Sequence, residues 1–141
     1  MSVYLDTSVV IPLFIREDHS ARVEEWLNSL REKLYYSHLV AGEFNSAVSR
    51  HVRKGEIDPD QASVIRDDAA QWLQNEIHCV AIDDEDIQLA SRAVANPKPK
   101  LLMPDAIHLV LCARMNLKLA TFDKDLLVIA QREGVAALTP T

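Results

Sequence analysis

Short apolar runs alternate with amphipathic segments along the whole chain. Five runs rich in β-branched and aromatic or aliphatic residues predict strands, at residues 3–5, 33–36, 79–82, 117–121 and 135–138. Between them apolar residues recur at helical spacing, as in Val23, Trp26 and Leu30. Strands that alternate with helices are typical of an α/β fold with a mostly parallel sheet. We therefore predict one three-layer α/β/α domain over residues 1–141, with a roughly five-stranded sheet.

Capping residues indicate where several predicted helices begin and end. Asp58 precedes a proline at one predicted helix start, and Asp83 opens another. Gly55 and Gly134 follow predicted helix ends, where a left-handed residue is common. The segment Asp105–Met115 is apolar on nearly every side, so we predict a buried helix there that starts after a proline.

Composition narrows the class of protein. A chain of 141 residues with 48% hydrophobic and 26% charged residues is typical of a globular protein with a sizeable core. No apolar run reaches the length of a membrane span and no secretory leader is evident, so we expect a cytoplasmic protein without membrane contact. Cys79 and Cys112 are expected to be buried thiols, and the histidines lack zinc spacing. The net charge of −6 argues against coating nucleic acid, but it leaves an RNA-cleaving enzyme open.

Four acidic residues are candidates for chemistry because of their positions. Asp6 and Asp123 follow the first and fourth predicted strands, Asp105 opens the buried helix, and Glu43 borders the apolar face of another helix. Each has a simpler interpretation, because Asp readily caps helices and Glu43 could be a solvated flank residue. Taken alone, Asp6 is better explained as a cap than as a ligand, by about two to one on our weighting.

The expected topology makes these acids more informative as a group. The carboxyl ends of parallel strands lie at one edge of a sheet, so Asp6, Asp105 and Asp123 converge there if the first and fourth strands are neighbours. Two carboxylates ~5 Å apart repel by about 3 kcal/mol at an effective dielectric constant of ~20. Such a group needs protons, cations or a metal, and all-oxygen ligation suits Mg²⁺ or Mn²⁺. A metal held in this way can orient water for phosphodiester hydrolysis.

Four short motifs in order resemble those of PIN-domain ribonucleases, and most closely those of the VapC toxins of bacterial toxin–antitoxin modules. The resemblance covers residues 3–138, and the motifs are Leu5-Asp6-Thr7-Ser8, Gly42-Glu43-Phe44, Pro104-Asp105-Ala106-Ile107-His108-Leu109 and Thr121-Phe122-Asp123-Lys124-Asp125-Leu126. None of these motifs is specific alone. Their order and spacing together are specific.

The resemblance implies a function and a set of site residues. It implies an endoribonuclease that depends on Mg²⁺ or Mn²⁺, acts as a toxin on RNA, is blocked by a cognate antitoxin and forms homodimers. The implied catalytic residues are Asp6, Glu43, Asp105 and Asp123, and the implied metal ligands are Asp6, Asp105 and Asp123. Ser8, Thr121 and Asp125 match positions that support this quartet in the family.

Other functions remain open at this stage. One is a PIN-domain nuclease of RNA processing without a toxin role, and another is a PIN-like binding module without catalysis, which the intact quartet disfavours. A phosphotransfer protein is a third. A phosphatase of the haloacid dehalogenase type needs a second Asp two residues after the first, where this chain has Ser8. A receiver domain needs an acid beside Asp6 and an Asp after its third strand, for which Thr7 is no match and Asp83 only a loose one.

Three further features have competing interpretations. Lys98 and Lys100 alternate with Pro97 and Pro99 in one loop, and they could contact phosphate or belong to a solvated loop. His108 follows Asp105 by three residues, and we favour a hydrogen-bonded core histidine over a base or ligand. The acidic run 83–86 opens a helix, so we interpret it as capping and solvation.

Overall fold

The computed structural model describes residues 1–141 and has five strands and seven helices. The strands are β1 (Val3–Leu5), β2 (Leu34–Tyr36), β3 (His78–Cys79), β4 (Lys118–Ala120) and β5 (Ala137–Leu138). The helices are α1 (Thr7–Phe14), α2 (Ser20–Ser29), α3 (His38–Arg53), α4 (Pro59–Glu76), α5 (Asp84–Ala95), α6 (Met103–Met115) and α7 (Lys124–Arg132). The predicted three-layer α/β/α class is confirmed.

The five strands form one all-parallel sheet in the order β3-β2-β1-β4-β5. β1 is central, and it pairs with β2 on one side and with β4 on the other. Tyr4 lies opposite Tyr35 and Leu119 in these two ladders. The first and fourth strands are therefore neighbours, which is the condition on which the convergence of Asp6 and Asp123 depended.

A single hydrophobic core surrounds the central strands. All three residues of β1 are fully buried, as expected for a strand covered by helices on both faces. Phe44 of α3 lies in the core, and Phe14 of α1 packs edge-on against it with ring centroids 5.8 Å apart. Burying a side chain of this size contributes about 1.5–3 kcal/mol. This core fixes the helices whose N-termini lie around the carboxyl edge of β1.

Local signals placed several helix ends correctly. Asp58 and Gln61 form a reciprocal capping box at the start of α4, and Asp83 and Asp86 form another at α5. Gly55 and Gly134 have φ angles of 74° and 76°, the left-handed conformation that glycine adopts without strain. No helix is both long enough and apolar enough to cross a bilayer.

Some predicted boundaries were wrong. α6 begins at Met103 rather than at Asp105, because Pro104 lies inside the first turn, where a missing N–H costs nothing. β3 covers His78–Cys79 rather than residues 79–82, since the pairing with β2 ends at Cys79 and Asp83 already caps α5. β4 and β5 are also shorter than predicted, with two residues in β5 at the edge of the sheet.

Two expectations about burial were also wrong. Cys79 is exposed on the edge strand β3, and only Cys112 is buried. Asp86 is not solvated but 1% exposed, and the guanidinium of Arg114 binds it with two N–H···O contacts of 2.9 Å. A buried carboxylate requires such a partner, and the partner comes from α6, out of reach of any pattern within α5.

Candidate active site at the carboxyl edge of the sheet

Asp6 lies at the carboxyl end of β1 and caps α1. Its Oδ1 accepts a hydrogen bond from the backbone N–H of Ser8 at 2.9 Å, so the cap interpretation is correct. Asp6 is only 4% exposed, which is unusual for a residue that merely caps a surface helix. The cap therefore does not account for the burial of this carboxylate.

Two hydroxyl groups connect Asp6 to the end of β4. The Ser8 hydroxyl donates to Asp6 Oδ1 at 2.5 Å and accepts from the backbone N–H of Phe122 at 2.9 Å. The Thr121 hydroxyl donates to Asp6 Oδ2 at 2.5 Å and accepts from the backbone N–H of Asp123 at 3.0 Å. Ser8, in the first turn of α1, and Thr121, directly after β4, thus connect the carboxyl ends of β1 and β4 and orient Asp6.

The hydrogen bonds leave Asp6 one unused acceptor position. Oδ1 accepts from both the N–H and the hydroxyl of Ser8, whereas Oδ2 accepts only from Thr121. A carboxylate oxygen has two lone pairs, so Oδ2 retains one. Burial raises the pKa of Asp6, and the hydrogen bonds from Ser8 and Thr121 oppose that effect.

Asp105 lies in the first turn of α6, and its side chain has no hydrogen-bond partner. It is half-buried and is not the helix N-cap, which is Leu102, so the cap interpretation of Asp105 is wrong. Burial, followed by repulsion from Asp123, raises its pKa to about 6. Asp6 and Glu43 add repulsion, and only His108 opposes it. No hydrogen bond or Lys or Arg charge stabilises this carboxylate.

Asp123 is the N-cap of α7, as the simpler interpretation of its position predicted. Its Oδ1 accepts from the backbone N–H groups of Asp125 and Leu126, each at 3.0 Å. Asp123 itself is exposed, and Asp125 contributes its backbone to the cap while its side chain is exposed. The cap uses one oxygen of Asp123 and leaves the other without a protein donor.

Glu43 projects from α3 and is held by two donors. The hydroxyl of Thr7 and Nε2 of His108 both contact Glu43 Oε1, at 2.7 and 2.8 Å. Partial burial of Glu43 opposes ionisation, but hydrogen bonds from His108 and Thr7 outweigh it and lower the pKa. Glu43 is therefore an ionised carboxylate with 31% of its side chain exposed, not a freely solvated flank residue.

Sequence reasoning missed the roles of Thr7, Tyr4 and Ser37. Tyr4 and Ser37 are buried and continue the hydrogen bonds behind His108, which is 1% exposed and bonded through both ring nitrogens. The expectation of a hydrogen-bonded core histidine is confirmed. A signal for Thr7 existed, because it follows Asp6 at the start of α1 and so lies at the same edge. Nothing local marks Tyr4 or Ser37.

The chemistry of the site fits a divalent cation. Its donors are carboxylate oxygens that repel one another, and no Lys or Arg charge relieves the repulsion on Asp105. No three acidic, His or Cys side chains lie close enough together in this conformation to enclose an ion. No hydrogen bond restrains the side chain of Asp105 in this conformation.

The structure does not bring Lys98 and Lys100 together with the acidic residues. Both lysines are exposed in the loop between α5 and α6. Lys98 lines a cavity with Ala106 and Leu109 of α6, and none of the four carboxylates lines it. Contact of these lysines with phosphate stays a prediction.

Several solved structures have the same fold as this chain. VapC20 of Mycobacterium tuberculosis, described as a toxin that cleaves the sarcin–ricin loop, has a TM-score of 0.75 at 16% identity, covering 91% of this chain and 95% of that one. FitAcB of Neisseria gonorrhoeae has a TM-score of 0.70 at 19% identity, covering 98% and 97%. VapBC2 of Rickettsia felis, bound to a DNA fragment from its promoter, has a TM-score of 0.70 at 12% identity, covering 99% and 98%.

At these identities the likeness establishes a shared fold. Comparison with curated protein sequences gives no match. The family model described as "PIN domain" matches residues 3–132, which include β1, β4 and all four carboxylates. The chain belongs to the PIN domain family.

Proposed function

We propose that this protein is a Mg²⁺- or Mn²⁺-dependent endoribonuclease that hydrolyses RNA phosphodiester bonds. The observation that carries the proposal is the Asp105 carboxylate, which is half-buried and repelled by three other carboxylates, and which no hydrogen bond and no Lys or Arg charge stabilises. A protein retains such an unfavourable charge at a cost in stability, and a bound cation would remove that cost. Membership of the PIN domain family supports the same conclusion.

Asp6, Asp105 and Asp123 are the residues that would hold the cation. Each has an oxygen with unused acceptor capacity: Asp6 Oδ2, both oxygens of Asp105, and the second oxygen of Asp123. When bound, Mg²⁺ or Mn²⁺ supplies an activated water and neutralises charge on the phosphate oxygens. Ser8 and Thr121 orient Asp6 from behind. Glu43 is ionised, so its free oxygen can accept a hydrogen bond from the attacking water.

Cleavage of RNA by the purified protein tests the proposal. Single-stranded and structured RNAs should be cut with Mg²⁺ or Mn²⁺ and remain intact in excess chelator. Asp6→Asn and Asp105→Asn should each lower the rate by two orders of magnitude or more, as loss of a transition-state charge contact does. Asp68→Asn makes the same chemical change on an exposed face of α4 and serves as the matched control. Equal rates in all four proteins would overturn the mechanism.

We further propose that the protein is the toxin of a toxin–antitoxin pair and acts on cytoplasmic RNA. The support is structural likeness to VapC20, described as a toxin, and to VapBC2, whose structure was solved bound to a DNA fragment from its promoter. Induced expression in a bacterial host should arrest growth with wild-type protein and not with Asp105→Asn. Co-expression of a small DNA-binding protein encoded next to it should restore growth. RNA cleavage without growth arrest would instead indicate an RNA-processing nuclease.

A homodimer is part of the same proposal. Large apolar side chains are exposed on α5 and at both ends of α6, namely Leu89 at 41%, Leu102 at 58% and Met115 at 42%. Burying such side chains against a second copy would be favourable, at about 25 cal/mol per Å². Light scattering at micromolar concentration should give twice the mass of one chain, and a monomer mass would contradict this part of the proposal.

A further inference from the structure

A chain of buried hydrogen bonds runs from the core to Glu43. The Ser37 hydroxyl and the Tyr4 hydroxyl lie 2.8 Å apart, and the Tyr4 hydroxyl lies 2.7 Å from Nδ1 of His108. Nε2 of His108 then lies 2.8 Å from Glu43 Oε1. The first three of these residues are at most 1% exposed. They come from β1, the N-cap of α3 and α6, so the chain connects three elements of the fold.

The direction of the last hydrogen bond is fixed by chemistry. Glu43 is ionised and can only accept, so Nε2 of His108 must carry the hydrogen and donate it. Nδ1 of His108 faces the Tyr4 hydroxyl, whose ring is tilted 53° to the imidazole at a centroid distance of 5.5 Å. Tyr4 therefore sets the orientation of the His108 ring, and the ring directs its Nε2–H at Glu43.

Both donors to Glu43 bind the same atom. The Thr7 hydroxyl and His108 Nε2 contact Oε1, whereas Oε2 has no donor in the protein. A glutamate side chain with three rotatable bonds would otherwise sample several rotamers at its 31% exposure. With Oε1 fixed from two sides, Oε2 is the atom left for water or substrate.

Stability alone does not explain this arrangement. A buried polar group is costly if any member loses its partner, and replacing a whole set by apolar residues of similar shape is nearly neutral. No buried side-chain polar atom lacks a partner here, so the set is complete. Its outer end is a carboxylate of the candidate active site rather than another core residue.

We propose that His108 is a positioning residue, supported by Tyr4 and Ser37, which fixes Glu43 by Oε1 and presents Oε2 to the acidic cleft. This inference rests on the proposed function, because it assigns a task to Glu43 in RNA cleavage. A positioning role differs from a merely structural role of His108 in one respect. A positioning residue affects the site through Glu43, so its effect disappears when Glu43 is absent.

Two amide substitutions test the roles of the two ring nitrogens of His108 independently. In His108→Gln the amide nitrogen takes approximately the place of Nε2 and can still donate to Glu43. In His108→Asn the shorter amide takes the place of Nδ1, so it keeps the contact with Tyr4 but cannot reach Glu43. His78→Gln and His78→Asn, on the exposed strand β3, are the matched controls.

In Mg²⁺, the variant that keeps a hydrogen-bond donor to Glu43, His108→Gln, should cleave RNA faster than His108→Asn, which loses that donor. Loss of a hydrogen bond to a charged group lowers a rate by about tenfold or more, so we expect His108→Asn to fall that far below His108→Gln. The two His78 variants should be alike. Equal rates for His108→Asn and His108→Gln, at equal unfolding midpoints, would overturn the proposal.

Binding of Mn²⁺ alone, measured by electron paramagnetic resonance, provides a test that needs no catalysis. Glu43 adds negative charge to the cleft, so mispositioning it in His108→Asn should weaken Mn²⁺ binding at least threefold. In a Glu43→Ala background the same substitution should change the affinity by less than a factor of about 1.5, within the additivity limit of uncoupled sites. Equal weakening in both backgrounds, or none in either, rejects positioning.

The two readouts separate failure of this inference from failure of the proposed function. Suppose that His108→Asn weakens Mn²⁺ binding only when Glu43 is present, but that the wild-type protein cuts no RNA. The proposed function is then wrong and the positioning role stands. Suppose instead that RNA is cut, that His108→Asn and His108→Gln cut it at equal rates, and that the effect of His108→Asn on Mn²⁺ binding does not depend on Glu43. The positioning role is then wrong and the nuclease function stands.

Discussion

Replacing Asp105 by Asn should stabilise the metal-free protein at neutral pH. Most substitutions at a half-buried polar residue destabilise, by about 1 kcal/mol on average, so this expectation has an unusual sign. It follows from the surroundings of Asp105, which supply three repelling carboxylates and no hydrogen bond. Asparagine keeps the shape of the side chain and removes the charge.

The pH dependence follows from the direction of the pKa change. Asp105 has a folded-state pKa of about 6 against an ordinary value of 3.8. Between these values the folded protein binds more protons than the unfolded chain, so stability falls as pH rises. The penalty from Asp105 is absent below pH ~3.8 and fully developed above pH ~6. Asp105→Asn should therefore have little effect at acidic pH and its largest effect at pH 7 and above.

The size of the effect can be worked from the same values. The difference between an ordinary Asp and a pKa of about 6 corresponds to about 3 kcal/mol, at roughly 1.4 kcal/mol per pH unit. Because Asp105 is only half-buried, solvent screening reduces this to about 1–1.5 kcal/mol. For a chain of this length, that raises the unfolding midpoint by about 3–6 °C.

Urea and thermal unfolding in chelator, at pH 4 and pH 7.5, measure this difference. Asp68→Asn on the exposed face of α4 is the control and should be neutral at both pH values. Addition of Mn²⁺ should stabilise wild-type protein and leave Asp105→Asn almost unchanged, because the variant lacks a ligand. A variant that is less stable than wild type at pH 7.5, or equally affected at both pH values, would refute the reasoning.

Four other substitutions have expected outcomes. Arg114→Ala leaves the buried Asp86 without its cation and should lower the free energy of unfolding in urea by about 2–3 kcal/mol. This is less than the cost of breaking a fully buried ion pair, because the arginine side chain is 36% exposed. A loss below about 0.5 kcal/mol would contradict this expectation. Asp58→Ala removes the capping box of α4 and should cost about 1 kcal/mol, measured in the same way. If Lys98 and Lys100 contact phosphate, Lys98→Ala and Lys100→Ala should each lower the salt dependence of RNA binding by about one unit in slope, and an unchanged slope would assign both to a solvated loop.

The order of strands and helices could be predicted because its signals are local. The capping box at Asp58 and the left-handed glycines Gly55 and Gly134 are each determined within a few residues. The start of α6 was misplaced for a local reason too, since a proline is compatible both with the residue before a helix and with its first turn. The helix propensity of proline does not distinguish these two positions. The packing of α6 in the folded protein does.

The contacts around the candidate site could not be predicted in the same way. Position alone suggested that Asp6 and Asp123 converge, because parallel strands end at one edge. Glu43 is contacted by His108, 65 residues away, and Asp86 by Arg114, 28 residues away, and both contacts depend on which faces of α3, α5 and α6 meet. A side chain within α5 carries no sign of whether Arg114 will reach it. Hence the same acidic run contained both solvated residues and a buried one.

The central position of β1 sets the order in which the site can form during synthesis. β1 is synthesised before β4, which is one of its two partners in the sheet, and the hydrogen bond from Thr121 to Asp6 spans 115 residues. Contacts between such distant residues form late, after the intervening chain is available. A nascent chain that ends before β4 already contains Asp6, Glu43 and Asp105 but lacks the strand and the hydroxyl that orient Asp6. The carboxylates can therefore assemble only after the chain has been synthesised beyond β4 and Thr121.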